Sequence, residues 1–224
     1  MQNINQDKLT SFLGKKYVND IDLRNFLIRM SKGKYIIWLD PYDKITPFFL
    51  EKAYDVLCHQ HYDILEFSLI WSHEDGSFDV SSVNDFEYIN DNCLELYLNR
   101  VDILQDVFKG KVFCSQLMKK INVNVFENIY EYAECFYSME LYFHAKSYKS
   151  FSEVFVYDYL DYINRNNFLE KNSLENVINV CKIRNEQLNR SLQILKENNL
   201  YNKYALHVLN KLYLYNLFQD MLRL

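Results

Sequence analysis

The stretch Leu23-Arg24-Asn25-Phe26-Leu27-Ile28-Arg29-Met30-Ser31-Lys32-Gly33-Lys34-Tyr35-Ile36-Ile37-Trp38-Leu39-Asp40-Pro41-Tyr42-Asp43 decides how this chain is read. Leu23, Phe26, Leu27 and Met30 fall at i, i+3, i+4 and i+7, the spacing that lines one face of a helix with apolar groups. Asp20 or Asp22 can cap the start of that helix, and Gly33 ends it. Residues 35–39 are apolar without alternation, the pattern of a strand covered on both faces. Asp40 breaks the run, and Pro41 prevents simple continuation of a central strand. Helix, glycine stop, buried strand and acidic loop follow the logic of an open α/β sheet, which gathers ligands at the carboxyl ends of its strands. Asp40 and Asp43 are therefore site candidates. They are equally placed to cap a helix opening at Thr46 and Pro47.

Outward from this stretch, that helix is expected to run to about Gln60, with His59 and His61 closing it where positive character suits the helix dipole. Two-residue spacing does not put both imidazoles on one helical face, so Cys58-His59-Gln60-His61 with Asp63 is not read as a metal-ligand set. Residues 63–72 predict a strand, and Asp75-Gly76 a hairpin turn into a second strand over 77–80. The polar residues 81–92 predict a loop. Helices are expected over 92–100, 112–120 and 130–147, and a strand over 154–159. After Asn172 the pattern is helical to the end, with a break near Asn198-Asn199. The organisation predicted is an α/β domain over 1–172 and a helical extension over 173–224.

Composition limits the classes open to the chain. At 224 residues it can bury a real core, and with 49% hydrophobic residues, 19 Tyr and 16 Phe it is not a disordered chain. Five cysteines (58, 93, 114, 135 and 181) are scattered without short pairing, which predicts reduced thiols in a cytoplasmic protein. The polar start is not a secretory signal, and there is no 18-residue apolar run to span a bilayer. From Cys181 onward seven Lys/Arg stand against three Asp/Glu, giving +4 and leaving −9 for the rest of the −5 total. Those basic helices could rest on an anionic membrane surface at its inner face, or could simply pack on the domain with solvated cations. An acidic chain without a dense basic face is not expected to bind nucleic acid.

Arg24, Asn25, Gly33, Tyr35, Ile36, Leu39, Asp40 and Asp43 together resemble the middle of a family 2 glycosyltransferase domain, in which an arginine-asparagine helix and a glycine-x-tyrosine-isoleucine strand lead into an aspartate-x-aspartate-aspartate loop. Pro47-Phe48-Phe49-Leu50-Glu51 and Tyr62-Asp63-Ile64-Leu65 resemble the helix and strand that follow in that family. Glu134-Cys135-Phe136 stands where glutamate-aspartate-x-x-phenylalanine is expected, and Val156-Tyr157-Asp158-Tyr159 is similar to the family's tyrosine-x-tyrosine strand. The resemblance covers roughly residues 20–175. It implies a GT-A (Rossmann-like) sheet and transfer of a sugar from a nucleotide sugar to an acceptor hydroxyl, as in surface polysaccharide assembly. By the same resemblance Arg24, Asn25 and Asp40 would contact the donor. Asp40 and Asp43 would hold a divalent manganese or magnesium ion, and Glu134 would be the base.

The departures from the pattern are as informative. Leu23 replaces alanine, Leu27 a glycine, Tyr42 the second acid of the metal motif, and Cys135 the aspartate that would serve as base. A phenol is a poor substitute for a carboxylate ligand, and a thiol with an ordinary pKa near ~8.5 is a weak base at neutral pH. The family's domain opens with strand–helix–strand units that grip base and ribose, whereas 22 residues precede Leu23 here. The donor half is therefore expected to be incomplete, leaving residues 35–39 near an uncovered sheet edge that must find a partner, as a homo-oligomer or with a partner glycosyltransferase. Two readings follow: a glycosyltransferase, or a noncatalytic homologue acting as scaffold or partner subunit.

Overall fold

The computed structural model describes residues 20–39, 43–72, 77–99, 108–121, 133–158 and 174–215. Helix α1 (Asp20–Met30) stops ahead of Gly33 and leads to strand β1 (Tyr35–Ile37), the element order expected. Among the described residues, however, α1 buries Asn25 and Ile28 while Met30 is exposed, and β1 ends two residues short of Leu39. Next come β2 (Lys44–Ile45), α2 (Phe49–His59), β3 (Ile64–Ser72), β4 (Phe78–Ser81), β5 (Phe86–Ile89) and α3 (Leu94–Asn99). The chain continues through β6 (Lys111–Cys114), α4 (Ser115–Lys120), α5 (Ala133–His144) and β7 (Ser147–Asp158). It ends in α6 (Leu174–Glu197), α7 (Tyr201–His207) and a π-helical turn over Val208–Tyr215.

Among the described residues the seven strands form one mixed sheet in the order β1-β6-β3-β7-β2, with β4 beside the far half of β3 and β5 beside the near half of β7. β3 and β7 run parallel, with register shifts flanking Ser68. β6 is antiparallel to both β3 and β1, so β1 and β3 point the same way. β1 therefore lies at one end of the sheet path, as expected for a strand near an edge. Its three residues are only half-buried, whereas all four of β6 are fully buried.

Two cores flank the sheet. On one face Leu65, Phe67, Leu69, Val112 and Phe151 pack against Phe49 and Ala53 of α2. Phe67 stacks on Phe151 and meets Phe49 edge-on, both at 5.1 Å between ring centroids. On the other face Ile64, Phe113 and Tyr148 pack beneath α3, α4, α5 and α6, with Leu195 and Val208 reaching into the same core. That face also buries a charged pair. Lys111 Nζ lies 3.2 Å from Glu66 Oε1, at 2% and 8% side-chain exposure, and the Tyr148 hydroxyl donates to Glu66. Such a pair is tolerable in the interior because each charge keeps polar partners.

Several expectations need correcting. The second helix begins at Phe49 with no side-chain cap, because residues 44–45 form β2 against β7 and Pro47-Phe48 are spent in the turn that follows. Residues 86–89 are strand rather than loop: β5 pairs with β7, and the Ser150 hydroxyl and Ser152 amide bond to Asn84 and Asp85 in the preceding loop. Residues 112–120 are not one helix. Val112 and Phe113 point into opposite cores as strand residues, and the helix starts at Ser115. Short apolar runs do not separate buried strand from helix by periodicity alone. β4 pairs with β3 as the hairpin reading requires, although Asp75-Gly76 lie outside the described residues.

The helical break falls where expected. Asn199 adopts φ 58°, a left-handed residue that ends α6, and the Leu200 amide returns to the Leu195 carbonyl at 2.8 Å. Several cations of this region turn toward the body of the protein: Arg184 is buried, Arg190 pairs with Glu140 of α5, and Lys203 lies 3.4 Å from Glu95 of α3. Among the described residues no helix is long and apolar enough to cross a membrane, and Cys58, Cys93, Cys114 and Cys181 are free thiols.

Candidate functional site

Of the acids expected from sequence, Asp43 lies near the point where β1 ends and β6 begins. Because the two strands are antiparallel, the exit of β1 through Trp38 and Leu39 runs beside the entry of β6 through Phe108, Lys109 and Gly110. Trp38 and Phe108 rings are tilted at 5.5 Å. Gly110 has φ +65°, which turns the chain into β6 and lets its carbonyl accept the Phe67 amide at 2.9 Å. This turn delivers Lys109 to the acidic loop. Its Nζ stands 3.5 Å from Asp43 Oδ1, and the Asp43 side chain is only 2% exposed.

Asp43 is therefore a buried carboxylate facing an ammonium rather than a helix cap. The donor set suits a cation, and in this structure the charge facing it is that of Lys109. Asp40 and Tyr42 lie outside the described residues, as do the side chains of Arg24, Glu134 and Cys135. Glu134 is in the first turn of α5, and Asn25 is a buried polar residue of α1, which packs on α4. Lys109 is the residue that sequence reasoning missed here. Its one signal is the glycine that follows it, the positive-φ position that turns this side chain toward the loop.

At the opposite, amino edge of the sheet the structure assembles a second constellation that the sequence reading set aside. His61 lies beyond the end of α2; His59 alone closes the helix, its Nδ1 2.7 Å from the Asp55 carbonyl oxygen. His61 Nε2 is 3.3 Å from Asp63 Oδ1, and its Nδ1 is 3.0 Å from the Tyr35 hydroxyl. Asp63 Oδ2 accepts the Lys146 amide at 2.7 Å, and at longer range the Ser147 amide and hydroxyl. Cys114 sits opposite Tyr35 in the β1–β6 ladder and donates its amide to the Asp63 carbonyl at 2.8 Å. One ligand-capable atom each of His61, Asp63 and Cys114 lies within 4.8 Å of the others.

The electrostatics agree with this crowding. Burial raises the Tyr35 phenol above its ordinary value, reinforced by Cys114 and the Asp63 charge and partly offset by a hydrogen bond from the Tyr62 backbone. Burial, helped by the Asp63 charge, pushes the Cys93 thiol up to about 12.

The fold matches solved structures. S. aureus TarS 1–349 superposes with a TM-score of 0.56 at 14% identity, covering 89% of this chain and 68% of that one. The fold is of the GT-A type. The complex of TarS 1–349 with UDP-GlcNAc matches at a TM-score of 0.52 and 14% identity, over 84% of this chain and 52% of that one. At such identity the likeness establishes the shared architecture. No family model and no curated protein matches the chain.

Proposed function

We propose that this chain is a glycosyltransferase-type protein whose carboxyl-edge site takes a nucleotide sugar and passes the sugar to an acceptor hydroxyl. The observation that supports this reading is the GT-A-type architecture over most of the chain. TarS 1–349 was crystallised with UDP-GlcNAc, which makes a uridine diphosphate sugar the first donor to try. Within the proposal Arg24, Asn25 and Asp40 contact the donor, and Glu134 takes the acceptor proton. Asp40 and Asp43 supply oxygens to a manganese or magnesium ion, Asp43 exchanging its present partner Lys109 for it. The ion supplies counter-charge for the diphosphate. Lys109, 3.5 Å from Asp43, would add a fixed positive charge at the same edge. Further strands could pair along β1, which among the described residues has β6 on one side only. A second copy of this chain or a partner glycosyltransferase could supply them.

A specific observation favours the second reading, a noncatalytic partner subunit: the buried Asp43 already faces an ammonium, so its charge is met without any ion. Thermal shift against uridine, guanosine and cytidine diphosphates and their sugars, with and without manganese, separates the two. A ligand that binds only the folded state raises the melting temperature by mass action. A manganese-dependent rise lost in Asp40→Ala supports the donor site. No rise with any nucleotide sinks it for the isolated chain.

A further inference from the structure

We propose that His61 Nε2, Asp63 Oδ1 and Cys114 Sγ form a binding site for one zinc-like divalent ion at the amino edge of the sheet, at the opposite end of β1 and β6 from the acidic loop. The inference does not depend on the glycosyltransferase reading, because none of these residues belongs to the carboxyl edge.

Three features make this a built site rather than a chance meeting of polar groups. The first is spacing. A tetrahedral ion with bonds of about 2.0–2.1 Å to nitrogen and oxygen separates those two atoms by roughly 3.3 Å. His61 Nε2 and Asp63 Oδ1 are 3.3 Å apart. A charge-assisted hydrogen bond between them would sit nearer about 2.8 Å. The Cys114 sulfur lies within 4.8 Å of a ring nitrogen of His61 and a carboxylate oxygen of Asp63, and metal binding would have to draw it closer.

The second feature is the outer shell. Metal-bound histidines donate their other ring N–H to a neighbouring acceptor, and metal-bound carboxylates are themselves held by donors. The Tyr35 hydroxyl lies 3.0 Å from His61 Nδ1, where it can accept the Nδ1 proton of a metal-bound imidazole whose Nε2 lone pair faces Asp63. Asp63 has one oxygen held by the Lys146 amide and by Ser147, leaving Oδ1 to face His61. The third is charge. A thiolate, a carboxylate and a neutral imidazole sum to zero with a dication, which suits a place where Cys114 is buried and Asp63 is partly buried.

Nitrogen, oxygen and sulfur together select a borderline ion such as Zn²⁺ over Mg²⁺ or Ca²⁺. On binding, the Cys114 thiol proton leaves to solvent as the sulfur–metal bond forms. The His61 side chain is 51% exposed, so a water completes the tetrahedron from the solvent side. The bound ion would tie the α2–β3 turn to β6 and, through Tyr35, to the edge strand β1.

The test uses the full chain stripped with a chelator and titrated with Co²⁺, then Zn²⁺. We expect one Co²⁺ per chain, with tetrahedral ligand-field bands and a thiolate charge-transfer band, displaced by one Zn²⁺, and a higher melting temperature with Zn²⁺. Cys114→Ser removes the charge-transfer band, and His61→Ala, at an exposed position, weakens Zn²⁺ binding. Circular dichroism confirms that both variants fold. An octahedral cobalt spectrum, a thiolate band that survives Cys114→Ser, or unchanged zinc affinity in His61→Ala each overturns the proposal.

Discussion

Gly110→Ala tests whether the turn into β6 positions the carboxyl edge. Gly110 has φ +65°, and a Cβ there would lie 2.4 Å from Leu69 Cδ2 and 2.9 Å from the Phe67 carbonyl oxygen. The left-handed conformation costs a residue with a Cβ about 1–2 kcal/mol. Forcing an extra methyl into a packed core adds about 1–3 kcal/mol. The backbone cannot slide away freely, since the Gly110 carbonyl accepts the Phe67 amide at 2.9 Å. The sum is about 2–5 kcal/mol, which in a chain of this size lowers the melting temperature by roughly 4–20 °C. Urea unfolding followed by far-UV circular dichroism reads the loss. Adding Leu69→Ala removes the closest clash but not the φ strain, so the double variant should lose less than the two single losses summed. A loss below about 0.5 kcal/mol, the range of an unconstrained surface substitution, would refute the claim that this glycine shapes the edge.

Two further outcomes follow from the interior. Lys111→Met strands the Glu66 carboxylate and should cost about 3–5 kcal/mol, whereas Lys111→Met with Glu66→Gln should recover much of it, as read by denaturant unfolding. The Cys93 thiol, raised to about 12 by burial, stays protonated in the folded chain while the unfolded thiol ionises near ~8.5. The unfolded state therefore binds fewer protons than the native state between these values. Stability should be intact below about pH 8.5 and fall with a slope approaching about 1.4 kcal/mol per pH unit above it. Cys93→Ala should flatten that slope; an unchanged slope would assign it to another group.

The sequence is most transparent where one local signal agrees with its neighbours. The spacing of Leu23, Phe26, Leu27 and Met30 predicts a helix and α1 is there, although among the described residues it buries Asn25 and Ile28. The apolar run after Gly33 supplies β1 over its first three residues. Asn199 ends α6 through a φ that few side chains accept. Legibility fails where tertiary pairing decides. Residues 86–89 are strand because β7 presents an edge to them, and Lys44-Ile45 because the far end of β7 does. Val112-Phe113-Cys114 merges with Leu117 and Met118 into one apolar run, and only the two separate cores show where strand gives way to helix. The candidate sites divide the same way. Asp43 could be named from its motif, but Lys109 could not, because the glycine after it marks a turn without saying which loop the turn faces. His61 and Asp63 could be seen together, yet Cys114 reaches them only through the β3–β6 ladder.

β6 is four residues long, and the groups just outside or at its two ends carry opposite chemistry. At its entry Lys109 reaches Asp43, and at its exit Cys114 meets Asp63 and His61. β1 mirrors it, with Tyr35 at the amino-edge cluster and its exit leading to the acidic loop. The short edge pair is thus pinned at both ends by polar contacts, while its apolar middle is buried on β6 and half-open on β1. A strand of three residues has little ladder of its own to hold it. Loosening either end should therefore be felt at the other, so a ligand that orders the amino edge would also narrow the positions open to the acidic loop. This links the two proposals without merging them. If zinc raises the melting temperature and also sharpens the response to a nucleotide, the edge pair transmits order along its length; if the two responses simply add, the ends are independent.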